Sequence, residues 1–205
     1  LSAGLDSSAN LCMALEQGLE LVLAVTFDYG QKAAAKEIAS AAKICQVYNI
    51  PHRVVALPWF KDFNRSSLLV DDQMIPTGEQ VKIDDHQSSQ ETKKAAEALE
   101  ADYIIPGFNY EEAQTFPDNS ADFLFAVNEG LRYSTAHEVK AQCFTLHLNK
   151  TQIVQAVYGQ LDFSLIWPCY QAKEKWCGVC ESCKRSLRAF KEAGLDMSHM
   201  VEVEK

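Results

Sequence analysis

Long apolar runs are missing from this sequence of 205 residues. The longest apolar stretches, such as residues 21–26, are far shorter than the ~20 residues that a membrane-spanning helix needs. No basic leader precedes an apolar segment, so nothing in the sequence suggests secretion. We therefore expect a cytoplasmic protein with no membrane partner.

Basic residues are also scarce, because 19 Lys and Arg stand against 28 Asp and Glu and give a formal net charge of −9. Proteins that bind nucleic acid without sequence preference depend on a basic face that neutralises phosphates. The composition argues against that class and favours a small molecule as the partner. The hydrophobic fraction of 47% and the charged fraction of 23% exclude collagen-like and disordered chains.

The apolar pattern alternates between strand and helix along most of the chain. Continuous apolar runs, as found inside parallel sheets, are separated by stretches of helical period. Ser120 suits a helix N-cap, and Gly18 and Gly194 suit helix ends. The pattern predicts an α/β fold with a parallel sheet. The predicted strands are residues 19–27, 52–57, 103–107 and 142–146, and the predicted helices are residues 7–17, 31–48, 91–100, 120–133 and 186–193.

Two stretches depart from this alternation. Residues 58–90 combine one apolar patch with a long polar run, which predicts a flexible or lid-forming insertion. After Gly159 the alternation ends and a cysteine-rich segment begins. We predict an α/β domain over residues 1–159 and a cysteine-rich appendage with a final helix over residues 160–205.

A loop of small residues, residues 1–8, runs directly into the first predicted helix, and we call it the phosphate loop. Such a junction binds phosphate, because several N–H groups converge on the anion and the helix N-terminus adds about half a positive charge. Serine hydroxyls add donors, and Asp6 is placed to hold Mg²⁺ or to cap the helix. A cluster that only caps the helix is the alternative. The candidate nucleotide-binding residues are Leu1, Ser2, Ala3, Gly4, Leu5, Asp6, Ser7 and Ser8.

Four of the seven cysteines lie within one short segment: Cys169, Cys177, Cys180 and Cys183. Cysteines two residues apart wrap a tetrahedral ion, and four thiolates leave no open position, which is typical of a structural zinc site. An iron–sulfur cluster and free or disulfide-paired thiols are the alternatives. The other three cysteines, Cys12, Cys45 and Cys143, are predicted to be small buried hydrophobes.

The phosphate loop resembles the Ser-Gly-Gly-x-Asp-Ser loop of the ATP pyrophosphatase (PP-loop) superfamily, whose members split ATP into AMP and pyrophosphate. The resemblance implies an open, doubly wound, mostly parallel sheet of the adenine nucleotide alpha hydrolase-like type. Ala3 stands where glycine is usual, and a positive φ there would cost about 1 kcal/mol. That fold has a central strand before the loop, whereas the sequence begins one residue before it, so we expect the first strand to be missing.

Further motifs make nearly the whole chain resemble the 7-cyano-7-deazaguanine synthases of queuosine biosynthesis. These motifs are residues 27–31, 107–109, 116–118, 161–165 and 167–170. The resemblance implies an ATP-dependent ligase that converts 7-carboxy-7-deazaguanine and ammonia into the nitrile through adenylated intermediates, with Mg²⁺, a structural zinc and a homodimer. It also implies that Asp6, Ser7 and Lys32 are catalytic and that Phe27 faces the adenine. A solvated helix residue is the other interpretation of Lys32.

Three motifs depart from that family, and each loses an arginine. Lys32-Ala33 replaces Arg-His, residues 75–78 replace Pro-x-Arg-Asn, and residues 117–120 replace Pro-Asp-Cys-Arg. Arginine recognises a carboxylate with two parallel hydrogen bonds, which lysine does not reproduce. We therefore expect slow turnover of 7-carboxy-7-deazaguanine. Two alternatives stay open: a divergent paralogue that adenylates another substrate, and a catalytically inactive nucleotide-binding zinc protein.

Overall fold

The computed structural model describes residues 1–60 and 88–202 of the chain. None of the helices in these ranges is both long and apolar enough to cross a membrane. The strands are β1 (Ala24–Asp28), β2 (His52–Ala56), β3 (Tyr103–Ile104) and β4 (Lys140–Ala141). The helices are α1 (Leu5–Glu16), α2 (Ala34–Val47), α3 (Ser88–Ala98), α4 (Tyr110–Ala113), α5 (Ala121–Ser134), α6 (Lys150–Ala156) and α7 (Glu181–Glu192), with 3₁₀ turns at Pro117–Asn119, Phe163–Leu165 and Ser198–Met200.

The strands form two parallel pairs, which confirms the predicted α/β class with parallel strands. β1 pairs with β2 from Ala24 opposite His52 to Asp28 opposite Ala56. β3 pairs with β4 over two residues each. Within the described residues these are two separate two-stranded sheets, so the expected single sheet is divided between β1 and β3. A cleft separates the two pairs and reaches the phosphate loop.

The phosphate loop begins at the edge of β1 that faces away from β2. Ala24 N–H and Asp28 C=O bond to the β2 side, so the Val25 carbonyl points to the opposite edge. The Leu1 amino group donates to that Val25 carbonyl, and the Thr26 hydroxyl donates to the Leu1 carbonyl at 2.6 Å. The loop therefore starts beside Val25 and Thr26 in the first half of β1, and its residues line the cleft.

Two predicted strands differ in the structure. The strand predicted over 19–27 begins only at Ala24, because its partner β2 begins at His52 and offers no ladder before that residue. The strand predicted over 142–146 lies earlier, at Lys140–Ala141. The backbone after it serves other contacts, since Phe144 N–H donates to the Asn10 side chain and cannot continue a ladder.

The helix ends follow local signals. Ser120 caps α5 by accepting a bond from Phe123 N–H at 3.1 Å, as predicted. Gly18 and Gly194 both have φ near +80°, which is the left-handed conformation that ends helices. α7 begins at Glu181, five residues before its predicted start, and α6 was not predicted.

One buried core joins the amino-terminal helices to the cysteine-rich segment. Leu5, Ile44 and Ile153 belong to the same buried cluster as Trp176 and Phe190. The division at residue 159 stays a prediction, and these contacts show that both sides pack against each other. Residues 61–87 of the insertion predicted at 58–90 lie outside the described residues, and its last three residues belong to α3, which begins at Ser88.

Gly107 provides a test of how tightly the loop after β3 packs against α1. A Cβ atom at this position would lie 2.7 Å from the Ser7 backbone. Because neither backbone can yield cheaply, we expect Gly107→Ala to lower the free energy of unfolding by about 1–3 kcal/mol. The control is Gly130→Ala in α5, where a Cβ meets nothing within 4 Å, so this change should raise stability by about 0.5–1 kcal/mol. Urea unfolding measures both, and equal effects would contradict the close approach.

Candidate functional site

The first turn of α1 carries no side-chain cap. Gly4 is the N-cap residue, with φ −67° and ψ 167°, and within the described residues no side chain caps it. The turn's backbone N–H groups are therefore left for a ligand, and the helix presents its positive end. Ser2, Gly4 and Ser7 line the cleft beside it. The geometry fits an anion site and does not fit the alternative of a capping cluster.

Ala3 adopts a left-handed backbone conformation. Its φ is 60°, so the predicted cost of about 1 kcal/mol for a non-glycine residue applies. The side chain is fully buried. Its carbonyl accepts a hydrogen bond from Trp167 N–H at 2.8 Å. The tertiary structure therefore holds this residue in a conformation that its own chemistry disfavours.

The serine hydroxyls and Asn10 fix the loop from two sides. Ser2 Oγ and Ser7 Oγ lie 3.0 Å apart, and Gly4 N–H donates to Ser2 Oγ at 3.3 Å. Asn10 Nδ2 donates to the Asp6 carbonyl at 2.9 Å, and its Oδ1 accepts from Phe144 N–H at 2.7 Å. The loop after β4 is thus attached to α1, which carries the phosphate loop.

Asp6 does not face open solvent; it lies in a buried ion cluster. Lys150 Nζ lies 2.6 Å from Asp6 Oδ2 and 2.9 Å from Glu112 Oε1, and the lysine side chain is only 3% exposed. Burial raises the pKa of Asp6, and the charge of Lys150 opposes this effect. Burial alone would lower the pKa of Lys150, but its attraction to Asp6 and Glu112 outweighs burial and raises it. The lysine is therefore held as a cation.

The loop after β1 is ordered by Gln31. The Gln31 amide nitrogen donates to the Phe27 carbonyl at 3.1 Å and to Glu37 Oε2 at 2.8 Å. Its oxygen accepts from Tyr29 N–H at 3.1 Å. Phe27 and Lys32 line the same cleft as the phosphate loop. The Gln31 side chain thus fixes the strand end that is predicted to face adenine.

The four clustered cysteines form a closed thiol site. Their Sγ atoms all lie within 4.8 Å of one another, and those of Cys177 and Cys183 are 3.9 Å apart. Four thiolates around zinc at ~2.3 Å would lie about 3.8 Å apart. The backbone N–H groups of Gln171 and Cys177 each donate to Cys169 Sγ at 3.3 Å. The hydrogen bond that Cys169 shares with Cys180 outweighs them and raises the pKa of Cys169. Hydrogen bonds from Cys169 and Cys183 lower the pKa of Cys180. The donor set fits a soft divalent ion with no open position.

Comparison with known proteins decides the family. The family model of the queuosine biosynthesis protein QueC matches residues 1–194. The chain belongs to this family. It is 51% identical to the 7-cyano-7-deazaguanine synthase of Bdellovibrio bacteriovorus, covering 98% of this chain and 94% of the relative. It is 40% identical to the synthase of that name from Pelotomaculum thermopropionicum, covering 96% and 97%.

Among solved structures, the chain is similar to the U34-tRNA thiolase NcsA from Methanococcus maripaludis with its 4Fe-4S cluster. The TM-score is 0.49 at 15% identity, covering 94% of this chain and 65% of that chain. The QueC family relatives are named as synthases, so the chain belongs to a family of enzymes with a role in queuosine biosynthesis.

The structure gathers most of the predicted QueC-family site. Ser2, Gly4, Asp6 and Ser7 share one cleft with Lys32, as do Leu1, Leu5 and Phe27. Ala3 and Ser8, which belong to the same loop, are fully buried. Their assigned roles toward nucleotide stay predictions. Cys12 and Cys45 are buried as predicted, whereas Cys143 is half-buried and donates to the Phe108 carbonyl at 3.4 Å.

Sequence reasoning missed Lys150, Glu112 and Asn10. A local signal for α6 exists, because Asn149 and Gln152 form a capping box around Lys150. That signal would have placed Lys150 in a first helical turn. It would not have shown the contact with Asp6, which lies 144 residues away along the chain.

Glu37 gives a pH test of the buried loop after β1. Burial raises its pKa above the ordinary value of 4.5. The folded protein therefore holds the Glu37 proton more tightly than the unfolded chain, and stability falls as pH rises from about 4.5 through the raised pKa. Glu37→Gln should remove that fall. The melting temperature of the variant relative to wild type should therefore be higher at pH 8 than at pH 5. Exposed Glu100→Gln is the control; identical pH profiles for both variants would contradict the assignment.

The thiol site predicts one bound metal ion per chain. Cys180→Ala removes one of four ligands, and structural zinc contributes ~10 kcal/mol or more to local folding, so the variant should lose the metal and expose its carboxyl-terminal segment to protease. Cys143→Ala lies outside the cluster and should keep full metal content. Elemental analysis of protein purified without chelator measures the ion. No metal in the wild type would contradict the site, and iron would contradict zinc.

Proposed function

We propose that this QueC-family chain is an ATP-dependent, AMP-forming C–N ligase that converts 7-carboxy-7-deazaguanine and ammonia into the nitrile. The observation that carries the proposal is the uncapped start of α1, lined by Ser2, Gly4 and Ser7. It stands in a chain 51% identical to a 7-cyano-7-deazaguanine synthase. An uncapped helix start beside small residues is suited to hold the phosphates of ATP.

The reaction explains why such a site needs phosphate binding and no nucleophilic side chain. The substrate carboxylate oxygen bonds to the α-phosphorus of ATP, and pyrophosphate leaves. Ammonia then adds to the carbonyl carbon and loses a proton, AMP leaves with the oxygen, and an amide remains. The amide oxygen then bonds to the α-phosphorus of a second ATP and a second pyrophosphate leaves. Loss of AMP and of the two N–H protons gives the nitrile. Positioning and stabilisation of phosphate charge supply the catalysis.

The loop residues divide this work among them. The first-turn N–H groups with the Ser2 and Ser7 hydroxyls would hold the pyrophosphate portion of ATP. Phe27 lies at the strand end assigned to adenine, and Lys32 is the nearest cation to it along the chain. Asp6 would hold Mg²⁺, because within the described residues its Oδ1 is buried without a hydrogen-bond partner, and carboxylate oxygens are the ligands that this ion prefers. When bound, Mg²⁺ supplies charge neutralisation for the phosphates.

We also propose zinc as the ion of the four cysteines, in a structural role. Support comes from the closed thiol geometry and from the absence of a disulfide among the described cysteines. Reduced thiols agree with a cytoplasmic location, which is part of the proposal. A homodimer that takes a small-molecule substrate and ammonia, without nucleic acid or membrane as partner, completes it.

The three departures from the family motif support a second candidate, which is the same adenylating chemistry on another carboxylate or amide. Ser120, at the position of one lost arginine, is used to cap α5. Lys32 remains in the cleft. Residues 75–78 lie outside the described residues. Slow turnover of 7-carboxy-7-deazaguanine therefore stays a prediction.

The test uses the loop glycine. A Gly4→Leu side chain would project where phosphate must approach, so ATP affinity should fall at least tenfold, about 1.4 kcal/mol. Gly4→Ala is the matched control, because its Cβ makes only an ordinary 3.4 Å contact with Ser2 Oγ. Calorimetry measures ATP binding, while AMP, pyrophosphate and nitrile are followed with 7-carboxy-7-deazaguanine, Mg²⁺ and ammonium. Unchanged affinity in Gly4→Leu contradicts the loop assignment; ATP binding without nitrile favours the second candidate.

A further inference from the structure

A buried cation lies directly behind the phosphate loop. Lys150 is the first residue of α6, and its ammonium contacts two carboxylates, those of Asp6 and Glu112, at 2.6 and 2.9 Å. Its backbone N–H donates to Glu111 Oε1 at 3.0 Å. Glu111 in turn accepts a hydrogen bond from Arg188 of α7. Lys150 is therefore fixed at both its backbone and its ammonium.

The charges of this cluster do not balance. Two carboxylates and one ammonium leave one negative charge when all are ionised, in the wall of the cleft that contains the phosphate loop. Without the ammonium, that wall would carry two negative charges. Because buried charges are screened far less than exposed ones, their effect on a polyanion at the start of α1 is strong.

Stability alone gives no reason for a lysine at this position. A buried ion cluster contributes little to stability compared with apolar side chains of similar volume. The cluster lies at Asp6, in the first turn of the helix that would take the phosphates. This placement indicates that Lys150 controls the local charge beside the phosphate loop.

The inference rests on the proposed ATP site. We propose that Lys150 is a positioning residue for nucleotide binding: its ammonium holds the Asp6 side chain and offsets carboxylate charge that would otherwise repel the phosphates of ATP. Lys150 acts through Asp6 and through local charge, and it does not contact the phosphates. ATP affinity should therefore follow the net charge of the cluster.

A cycle of charge variants tests this with Mg-ATP binding to the full chain. Lys150→Met leaves two uncompensated carboxylates and should weaken ATP binding at least tenfold. Lys150→Met combined with Glu112→Gln returns the cluster to one negative charge without altering Asp6, and should recover at least half of the loss on a logarithmic scale. Lys140→Met changes the protein's total charge equally on exposed β4 and should stay within twofold of wild type. Circular dichroism and thermal melts confirm that each variant is folded.

Glu112→Gln alone is the second test if Lys150→Met does not fold. Because this variant lacks one carboxylate, it should bind ATP as tightly as wild type or more tightly. Weaker binding in that variant overturns the inference. Wild-type ATP affinity in folded Lys150→Met also overturns it, because the lysine would then have only a structural role. A double variant that binds ATP as weakly as Lys150→Met overturns it too, because the lysine would then contact phosphate itself. Failure of the wild type to bind ATP overturns the proposed function, and this inference with it.

Discussion

The left-handed residue of the phosphate loop is held by one backbone hydrogen bond, from Trp167 N–H to the Ala3 carbonyl at 2.8 Å. Ala3 keeps a φ of 60°, which an L-residue adopts only where its surroundings hold it. The bond fixes the direction of the peptide that precedes Gly4, and hence the entry of the chain into α1. If Ala3 relaxed to negative φ, the first N–H groups of the helix would no longer converge on the cleft.

This hydrogen bond connects the loop to the cysteine cluster. Cys169 follows Trp167 by two residues, and the Trp167 ring nitrogen donates to the Gln171 carbonyl at 3.3 Å. Lys36 of α2 lies 5.4 Å from the centre of the Trp167 ring, in a cation–π contact. Whatever fixes the four sulfurs therefore also fixes Trp167, and through it Ala3. The cysteine segment is part of the structure that shapes the loop, which explains why its residues share the core of α1 and α2.

The features that were predictable from sequence are those with a local cause. The Ser120 cap, the glycines that end α1 and α7, and the spacing of the four cysteines each express chemistry within a few residues. The shifted fourth strand had a distant cause: Asn10 takes the Phe144 N–H that an extended ladder would have used. A single sequence reveals the spacing of apolar residues and the helix caps. It does not reveal which side chain contacts a residue more than 130 positions away.

The acidic composition argues against nucleic acid as a partner and yet agrees with a nucleotide site, and the reason is distance. At physiological salt, exposed charges more than about 8 Å apart are largely screened, so most of the chain's excess acid has little effect on an anion at the start of α1. The charges that matter are the unscreened ones beside the loop. There the N-terminal N–H groups and the serine hydroxyls face the cleft, while the buried carboxylate of Asp6 lies 2.6 Å from the Lys150 ammonium. The net charge of the protein thus affects its binding to an extended polyanion such as nucleic acid. The affinity for a small anion such as a nucleotide is set by a few buried groups.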